Sequence, residues 1–135
     1  MKVSLVDVKR VADSLQAQCP FITFAMIDGI DEQGQHILPG NLELFVMLEN
    51  NTGLFLALEK ILQAMAMMVP GVLCDVTILN RVDVTTCFKA SNARCLFVRY
   101  EKEQMFRQFV QRACLDYRIL NARRRLNSAR RNDQF

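Results

Sequence analysis

Four short apolar segments, separated by amphipathic ones, constrain the fold of this chain more than any other feature of its sequence. The segments FITFAMI (21–27), NLELFVMLE (41–49), VLCDVTIL (72–79) and CLFVRYE (95–101) have the length and the β-branched or aromatic content of strands. We predict buried strands for the first three, the second of which reaches a cleft with its polar start. Arg99 and Glu101 alternate with apolar residues, which predicts an edge position for the fourth.

The segments between these strands have helical periodicity. Apolar residues recur three and four positions apart in residues 5–18 and 54–69, and prolines follow both segments. The predicted core faces are Leu5, Val8, Ala12 and Leu15 in the first helix, and Leu54, Leu58, Ile61, Leu62 and Met65 in the second. A short helix is expected over 82–90, beginning at Asp83, and a long amphipathic helix from Lys102 onward. The order predicts an α/β (α+β) fold in which helices flank a small mixed β-sheet.

Length and composition are those of one globular domain. The 135 residues are expected to form a single unit, with an N-terminal helix (1–20), a sheet core (21–100) and a C-terminal helix with a basic tail (101–135). The start lacks the apolar run of a secretory signal, and no segment approaches the ~20 apolar residues of a membrane span, so we expect a cytoplasmic protein. The five cysteines form no CxxC pair, which argues against zinc and disulfide frameworks.

Positive charge is concentrated at the C-terminus. From Arg118 onward there are six arginines and one acid, a net charge of +5, whereas the first 117 residues carry −2. Such a tail can contact nucleic acid or an acidic partner, or it can simply be a solvated helix end favoured by the helix dipole. No aromatic residues are interleaved to stack on bases, which weakens the nucleic-acid interpretation.

A polar loop with three glycines, DGIDEQGQHILPGN (28–41), joins the first two strands, and carboxylates follow it. Asn41 and Glu43 lie two positions apart on a strand and therefore project to the same side of the sheet. Asp75, a single charge in another apolar strand, could lie beside them. Three such groups on adjacent strands are typical of a cage for Mg²⁺ and a nucleotide triphosphate. The alternative is a solvated strand end, with Asp75 capping a neighbouring loop.

In their spacing, the segments GIDEQG (29–34), GNLELFVML (40–48) and CDVTIL (74–79) resemble the minimal nucleotidyltransferases of the DNA polymerase β superfamily. That family has a GSxxRG loop, a strand opening SDxD and a third aspartate on a later strand, and it includes bacterial antitoxins paired with HEPN-domain ribonuclease toxins. The resemblance covers roughly residues 21–120 and extends to a short strand and a long final helix. It implies catalytic positions at Asn41, Glu43 and Asp75, with Glu43 and Asp75 as Mg²⁺ ligands. It also implies contacts of Gly29, Ile30 and Gly34 with ATP or another NTP.

Individual residues in these segments depart from the family pattern. Ile30 stands where the family has serine, Gln33 where it has arginine, and Asn41 where it has a metal carboxylate. Asp31 and Glu32 add negative charge to a loop that would face a triphosphate. Because metal charge and positioning supply nearly all the catalysis in phosphoryl transfer, these changes predict lost or much reduced transfer.

Three functions remain open from the sequence. The first is a degenerate nucleotidyltransferase-like protein that acts through protein contact, as an antitoxin-like partner of a HEPN-type protein or with itself. Met65, Met67 and Met68 are candidates for its contact surface, although methionines at helical spacing also fill cores. The second is an active Mg²⁺-dependent enzyme that transfers NMP from ATP or another NTP to a hydroxyl. The third is a nucleic-acid-binding module that uses the arginine-rich tail.

Overall fold

The computed structural model describes residues 5–133 and contains one four-stranded mixed sheet between two layers of helices. The elements in chain order are α1 (Val8–Gln18), β1 (Ile22–Asp28), β2 (Leu42–Leu48), α2 (Leu54–Met68), β3 (Cys74–Ile78), α3 (Val84–Ser91), β4 (Arg94–Val98) and α4 (Glu103–Asp133). The strand order is β3-β2-β1-β4, with β1 antiparallel to β2 and β4, and β2 parallel to β3. The predicted fold class, including the long C-terminal helix, is confirmed. The predicted domain 1–135 includes residues 1–4 and 134–135, which lie outside the described residues.

The two central strands carry the core. Along β1, alternate side chains enter a larger apolar cluster with α1 and α2, or a smaller one with α3 and α4. Phe24 is fully buried in the smaller cluster, where its ring centroid lies 5.1 Å from that of Phe106 and 5.4 Å from that of Phe109. Aromatic pairs at these separations add stability beyond the area they bury. They fix the start of α4 against one face of the sheet.

Arg99, directly after β4, joins three chain segments. Its guanidinium donates hydrogen bonds to the carbonyls of Gln16 at 2.9 Å and Cys19 at 2.8 Å, and also to the carbonyl of Ile22. The last carbonyls of a helix lack partners within the helix, so Arg99 caps α1 at the point where the chain turns into β1. The edge position predicted for this strand is confirmed. Arg99 itself is half-buried and links the end of α1 to the start of β1.

Several sequence predictions about packing are confirmed and others are wrong. Asp83 is the N-cap of α3, and its carboxylate accepts from the backbone N–H of Thr86 at 2.8 Å. The strand predicted as buried at 72–79 is instead the other edge strand, β3, and is only half-buried. Leu5 precedes α1 and is 75% exposed, so it is not part of the core face of that helix.

The predicted core face of α2 is also wrong in part. Ile61 and Met65 are buried as expected, but Leu54 and Leu62 are 50% and 42% exposed. The buried side of the helix is completed by smaller residues, Ala57 and Ala64. Because α2 is apolar on both sides, helical periodicity alone did not define which side faces the sheet.

The last helix, α4, extends beyond the rest of the molecule. Its 31 residues give it a length of about 46 Å. It contacts the body through Ala113, which is buried, and through Tyr117, whose ring stacks on Phe88 at 3.9 Å between centroids. Residues 122–131 are all exposed. None of the helices within residues 5–133 combines the length and the apolar character needed to cross a membrane.

Candidate functional site

Three carboxylates form a row across the sheet, at the level where β1 ends. In the strand register, Glu43 on β2 is paired with Asp28 on β1 and with Asp75 on β3. Directly paired residues project to the same side, here the side covered by α3 and α4. Two predicted site residues, Glu43 and Asp75, are thus adjacent. Asp28 was missed by sequence reasoning, although its position directly before Gly29, at the end of an apolar strand, was a usable signal.

A lysine from α3 lies over this row. The Lys89 Nζ is 2.9 Å from both carboxylate oxygens of Glu43, which is half-buried. The hydrogen bond to Glu43 raises the pKa of Lys89, and the negative charge of Asp28 acts in the same direction. The Lys89 side chain is 52% exposed, so it pairs with Glu43, the middle carboxylate of the row, from the solvent side. It lies 46 residues from Glu43 in the sequence and has no motif, so only the tertiary structure reveals it.

Asn41 lies beside the same row. Its side-chain Nδ2 donates a hydrogen bond of 3.2 Å to Asp75 Oδ2, so the sheet does bring together all three residues predicted as catalytic, Asn41, Glu43 and Asp75. The amide group presents a donor to the carboxylate and brings no negative charge for a cation. Both Asn41 and Asp75 are exposed.

The side chains of this row do not fit a Mg²⁺ site as they are arranged. Mg²⁺ requires nearly octahedral oxygen ligation at short distances. Within residues 5–133, no three carboxylate, thiol or imidazole groups converge in a geometry that could hold a metal ion. Glu43 is engaged by an ammonium group and Asp75 by an amide donor. The positive charge beside Glu43 comes from Lys89.

The loop after β1 is held against β2 by glycines. Gly29 has φ +91°, and a Cβ built on it would lie 2.8 Å from the carbonyl oxygen of Asn41. Only glycine allows both this backbone conformation and this approach. Gly34 has φ +72° and packs on the guanidinium of Arg94, which a Cβ would meet at 3.2 Å. Between them, Ile30 forms a backbone bridge with Ile37.

Two backbone amides of this loop donate hydrogen bonds to a side chain of the loop itself. The Asp31 carboxylate accepts from the backbone N–H of Gln35 at 2.9 Å and of His36 at 3.2 Å, and its second oxygen lies 3.0 Å from His36 Nδ1. The bond from the Gln35 amide, followed by those from His36, lowers the pKa of Asp31. The Gly34 N–H donates to the Asp31 carbonyl at 3.0 Å. Consecutive amides of a glycine loop can bind phosphate, but here a carboxylate already occupies them.

Arg94 holds the other side of the loop. Its Nη2 donates to the carbonyl of Glu32 at 2.7 Å and, more weakly, to that of Asp31 at 3.4 Å. The family pattern has an arginine inside the loop, where this chain has Gln33, which is exposed. The arginine that reaches the loop comes from β4 instead and binds carbonyl oxygens. It stabilises the loop conformation.

A separate cleft lies at the other end of β2 and β3. It has a volume of about 750 Å³ and is lined by residues of the β2–α2 turn together with Asn80 and Arg81. Asn80 also bonds both backbone groups of Leu48, at 2.9 Å each, which fixes the wall of the cleft. The cleft shares no residue with the carboxylate row. The volume of this cleft is therefore no evidence that it is the site predicted from the sequence.

Comparison with known proteins places the fold. No protein-family model matches the sequence, and no curated protein is similar to it in sequence. Solved structures do match. A toxin–antitoxin MntA–HepT structure has a TM-score of 0.64 at 12% identity, over 90% of this chain and 93% of that chain. A toxin–antitoxin structure with AMP-PNP has a TM-score of 0.67 at 15% identity, over 92% and 97%.

A third structure contains a tri-AMPylated HEPN toxin from Shewanella oneidensis in complex with an MNT antitoxin. Its TM-score is 0.62 at 10% identity, over 90% of this chain and 92% of the matched chain. In each case nearly the whole of both chains is superposed. At these identities the likeness establishes the fold.

Proposed function

We propose that this chain, which has the fold of the minimal nucleotidyltransferase (MNT) antitoxins, acts through protein contact as an antitoxin-like partner of a HEPN-type protein, without metal-dependent nucleotidyl transfer. The observation that carries the proposal is the position of Lys89, whose ammonium group lies 2.9 Å from Glu43 in the carboxylate row. A lysine adds one positive charge but has no open coordination position for a phosphate oxygen. A divalent cation can bridge phosphate and protein, and this lysine cannot replace it in that role.

The loop supports the same proposal from the phosphate side. Phosphoryl transfer depends on positive charge and on hydrogen-bond donors placed around the transferred group. The Asp31 carboxylate accepts from the backbone amides of Gln35 and His36 and adds a negative charge to the loop. A phosphate that used the amides of Gln35 and His36 would have to displace this carboxylate. Gly29 and Gly34 then serve the geometry of the loop.

Protein contact is supported by the fold neighbours and by exposed apolar surface. The neighbours include MNT antitoxins in complex with HEPN toxins. On α2, the adjacent side chains of Phe55 and Leu56 are 89% and 69% exposed. Exposed apolar patches of this kind are typical of protein–protein contact surfaces. Of the methionines predicted as contact surface, Met67 is 75% exposed, but Met65 is buried in the core. Met68 is half-buried and packs against the same cluster.

The decisive experiment is a calorimetric titration of the full chain with ATP and Mg²⁺, combined with purification from the native host. We expect no binding at millimolar nucleotide, no AMP transfer to copurified proteins, and recovery of a small helical partner identified by mass spectrometry. Mg²⁺-dependent AMP transfer that Asp75→Ala abolishes would overturn the proposal. A partner-free monomer in the native host would do so as well.

An active enzyme is the second candidate, and one observation favours it: Asp28, Glu43 and Asp75 share one row of the sheet. The substitution Lys89→Met separates the two candidates, because it removes the ammonium and keeps the length of the side chain. If Lys89 occupies the place of the cation, the variant should bind Mn²⁺, detected by electron paramagnetic resonance, whereas the unsubstituted protein should not. Equal Mn²⁺ binding by both would favour the enzyme. Lys89→Met with Glu43→Gln is the matched control and should bind no Mn²⁺.

A further inference from the structure

The part of α4 beyond the body carries a second apolar face, which we call the outer stripe. Its members recur at alternating steps of four and three residues: Leu115, Ile119, Ala122, Leu126 and Ala129. Leu115, Ile119 and Leu126 are 49%, 40% and 61% exposed. At 3.6 residues per turn the stripe lies on the opposite side of α4 from Ala113 and Tyr117, which face the body. Steps of four and three are the pattern of a helix that packs lengthwise against another helix.

Arginines border the outer stripe on both sides. By helical position, Arg118 and Arg125 lie along one border, and Arg123 and Arg130 along the other. The side chains described in the structure form three Lys or Arg ion pairs and one His36–Asp31 contact, and none of these involves the border arginines. The charges are therefore available to a partner. They are placed where the e and g positions of a coiled coil determine which helix can pair.

The arginine borders indicate which kind of molecule can bind the outer stripe. A second copy of the chain would bring the same arginines against the arginine borders, and like charges across a helix pair are destabilising. A nucleic acid needs positive charge but no apolar stripe, and it would use the arginines on the back of the helix, Arg124 and Arg131, equally well. A protein helix with apolar residues at the same spacing and carboxylates along its borders satisfies both features.

We propose that the outer stripe of α4 is a docking surface for an acidic amphipathic helix of a partner protein. This inference rests on the proposed function, because it names the surface through which such a partner is held. The apolar residues provide the buried seam, and the bordering arginines select a partner rich in Asp and Glu and determine its orientation.

The test measures binding of a synthetic peptide to the full chain by fluorescence anisotropy. The peptide is a labelled helix of four heptads with Leu at the seam positions and Glu at the borders; a second peptide carries Lys at the borders. We expect the acidic peptide to bind and the basic one not to bind. The double variants Ile119→Ser with Leu126→Ser, and Arg118→Glu with Arg123→Glu, should each weaken binding by about tenfold or more.

Matched controls separate the docking surface from general attraction. Arg124→Glu with Arg131→Glu makes the same change in charge on the back of the helix and should leave the affinity within about threefold. Circular dichroism at 222 nm verifies that each variant keeps its helix. The arginine-to-glutamate border variant should gain affinity for the basic peptide, which a misfolded protein would not do.

Other outcomes overturn the inference. Equal loss in the border and back variants would mean nonspecific charge attraction. Binding of a single-stranded RNA 20-mer that depends equally on both arginine pairs would assign the tail to nucleic acid. Self-association in sedimentation, lost in Leu126→Ser, would assign the stripe to a second copy.

The inference and the proposed function can also fail separately. AMP transfer by the protein would refute the proposed function but would leave the peptide result standing. Recovery of the native partner by the Ile119→Ser, Leu126→Ser variant would refute the docking surface alone.

Discussion

Replacing Gly29 with alanine tests whether this glycine is required by the fold. Its φ of +91° is unfavourable for an L-residue, by roughly 1–2 kcal/mol. In addition, the new Cβ would lie 2.8 Å from the backbone carbonyl oxygen of Asn41, which cannot rotate away, and overpacking of this kind costs about 1–3 kcal/mol. Gly29→Ala is thus expected to lower the free energy of unfolding by roughly 2–5 kcal/mol. That is a large fraction of the ~5–15 kcal/mol typical of a domain.

Gly71 supplies the matched control. Its φ is +77°, but a Cβ there would meet nothing within 4 Å, so Gly71→Ala carries the backbone term of roughly 1–2 kcal/mol alone. Urea unfolding followed by circular dichroism at 222 nm measures both variants, with equal m-values showing that the unfolded states are comparable. The difference between them isolates the contact with Asn41. If Gly29→Ala loses no more stability than Gly71→Ala, the contact with the Asn41 carbonyl is not the reason for glycine at position 29. A reason related to ligand binding would then have to be sought.

Three further predictions concern single polar groups. Arg99→Ala should lower the free energy of unfolding by about 3 kcal/mol or more, because three carbonyls lose a charged donor. Arg99→Lys should lose less stability than Arg99→Ala. A loss under about 1 kcal/mol for Arg99→Ala in urea unfolding would contradict the capping role. The pKa of Asp31 is lowered, so its carboxylate stabilises the fold above the ordinary pKa of about 4 and stops doing so as the pH falls through the lowered value. The difference in urea midpoint between the protein and Asp31→Asn should therefore shrink as the pH falls below about 4, and a difference that persists unchanged in acid would contradict this role. The pKa of Lys89 is raised, so the contribution of its pair with Glu43 should be fully present below the ordinary lysine pKa of about 10 and be lost as the pH rises through the raised value. A stability difference from Lys89→Met that does not fall as the pH is raised would disprove the pairing.

Local signals in the sequence were sufficient for most of the elements. The helix beginning at Asp83 follows from side-chain capping of the first turn, which involves residues three positions apart. The glycines around the loop followed from its spacing, and the structure gives both Gly29 and Gly34 a positive φ. Such features depend on neighbours in the chain and are therefore visible without the fold.

The errors concern relations between distant segments. An apolar segment such as 72–79 has the same composition in the centre of a sheet as at its edge, and the pairing that makes β3 an edge strand is non-local. The engagement of Glu43 by Lys89 depends on how α3 packs on the sheet, which no spacing encodes. The hydrogen bonds of Asp31 within the loop could have been predicted from the sequence, because aspartates in turns often accept from amides a few residues later.

The order of strands also has a consequence for how this chain is made. β1 lies in the centre of the sheet, with six of its seven residues buried, but one of its two partners is β4, which lies far along the sequence. At about 5–20 residues per second, a ribosome needs roughly 3–13 s to proceed from the end of β1 to Arg94. During that time one edge of an apolar strand has free N–H and C=O groups and is prone to pair with other chains. Nascent chains stalled before β4 has left the ribosome exit tunnel should therefore aggregate or hold chaperones, and those long enough to expose β4 should be released, a difference that sedimentation of stalled ribosome complexes would measure.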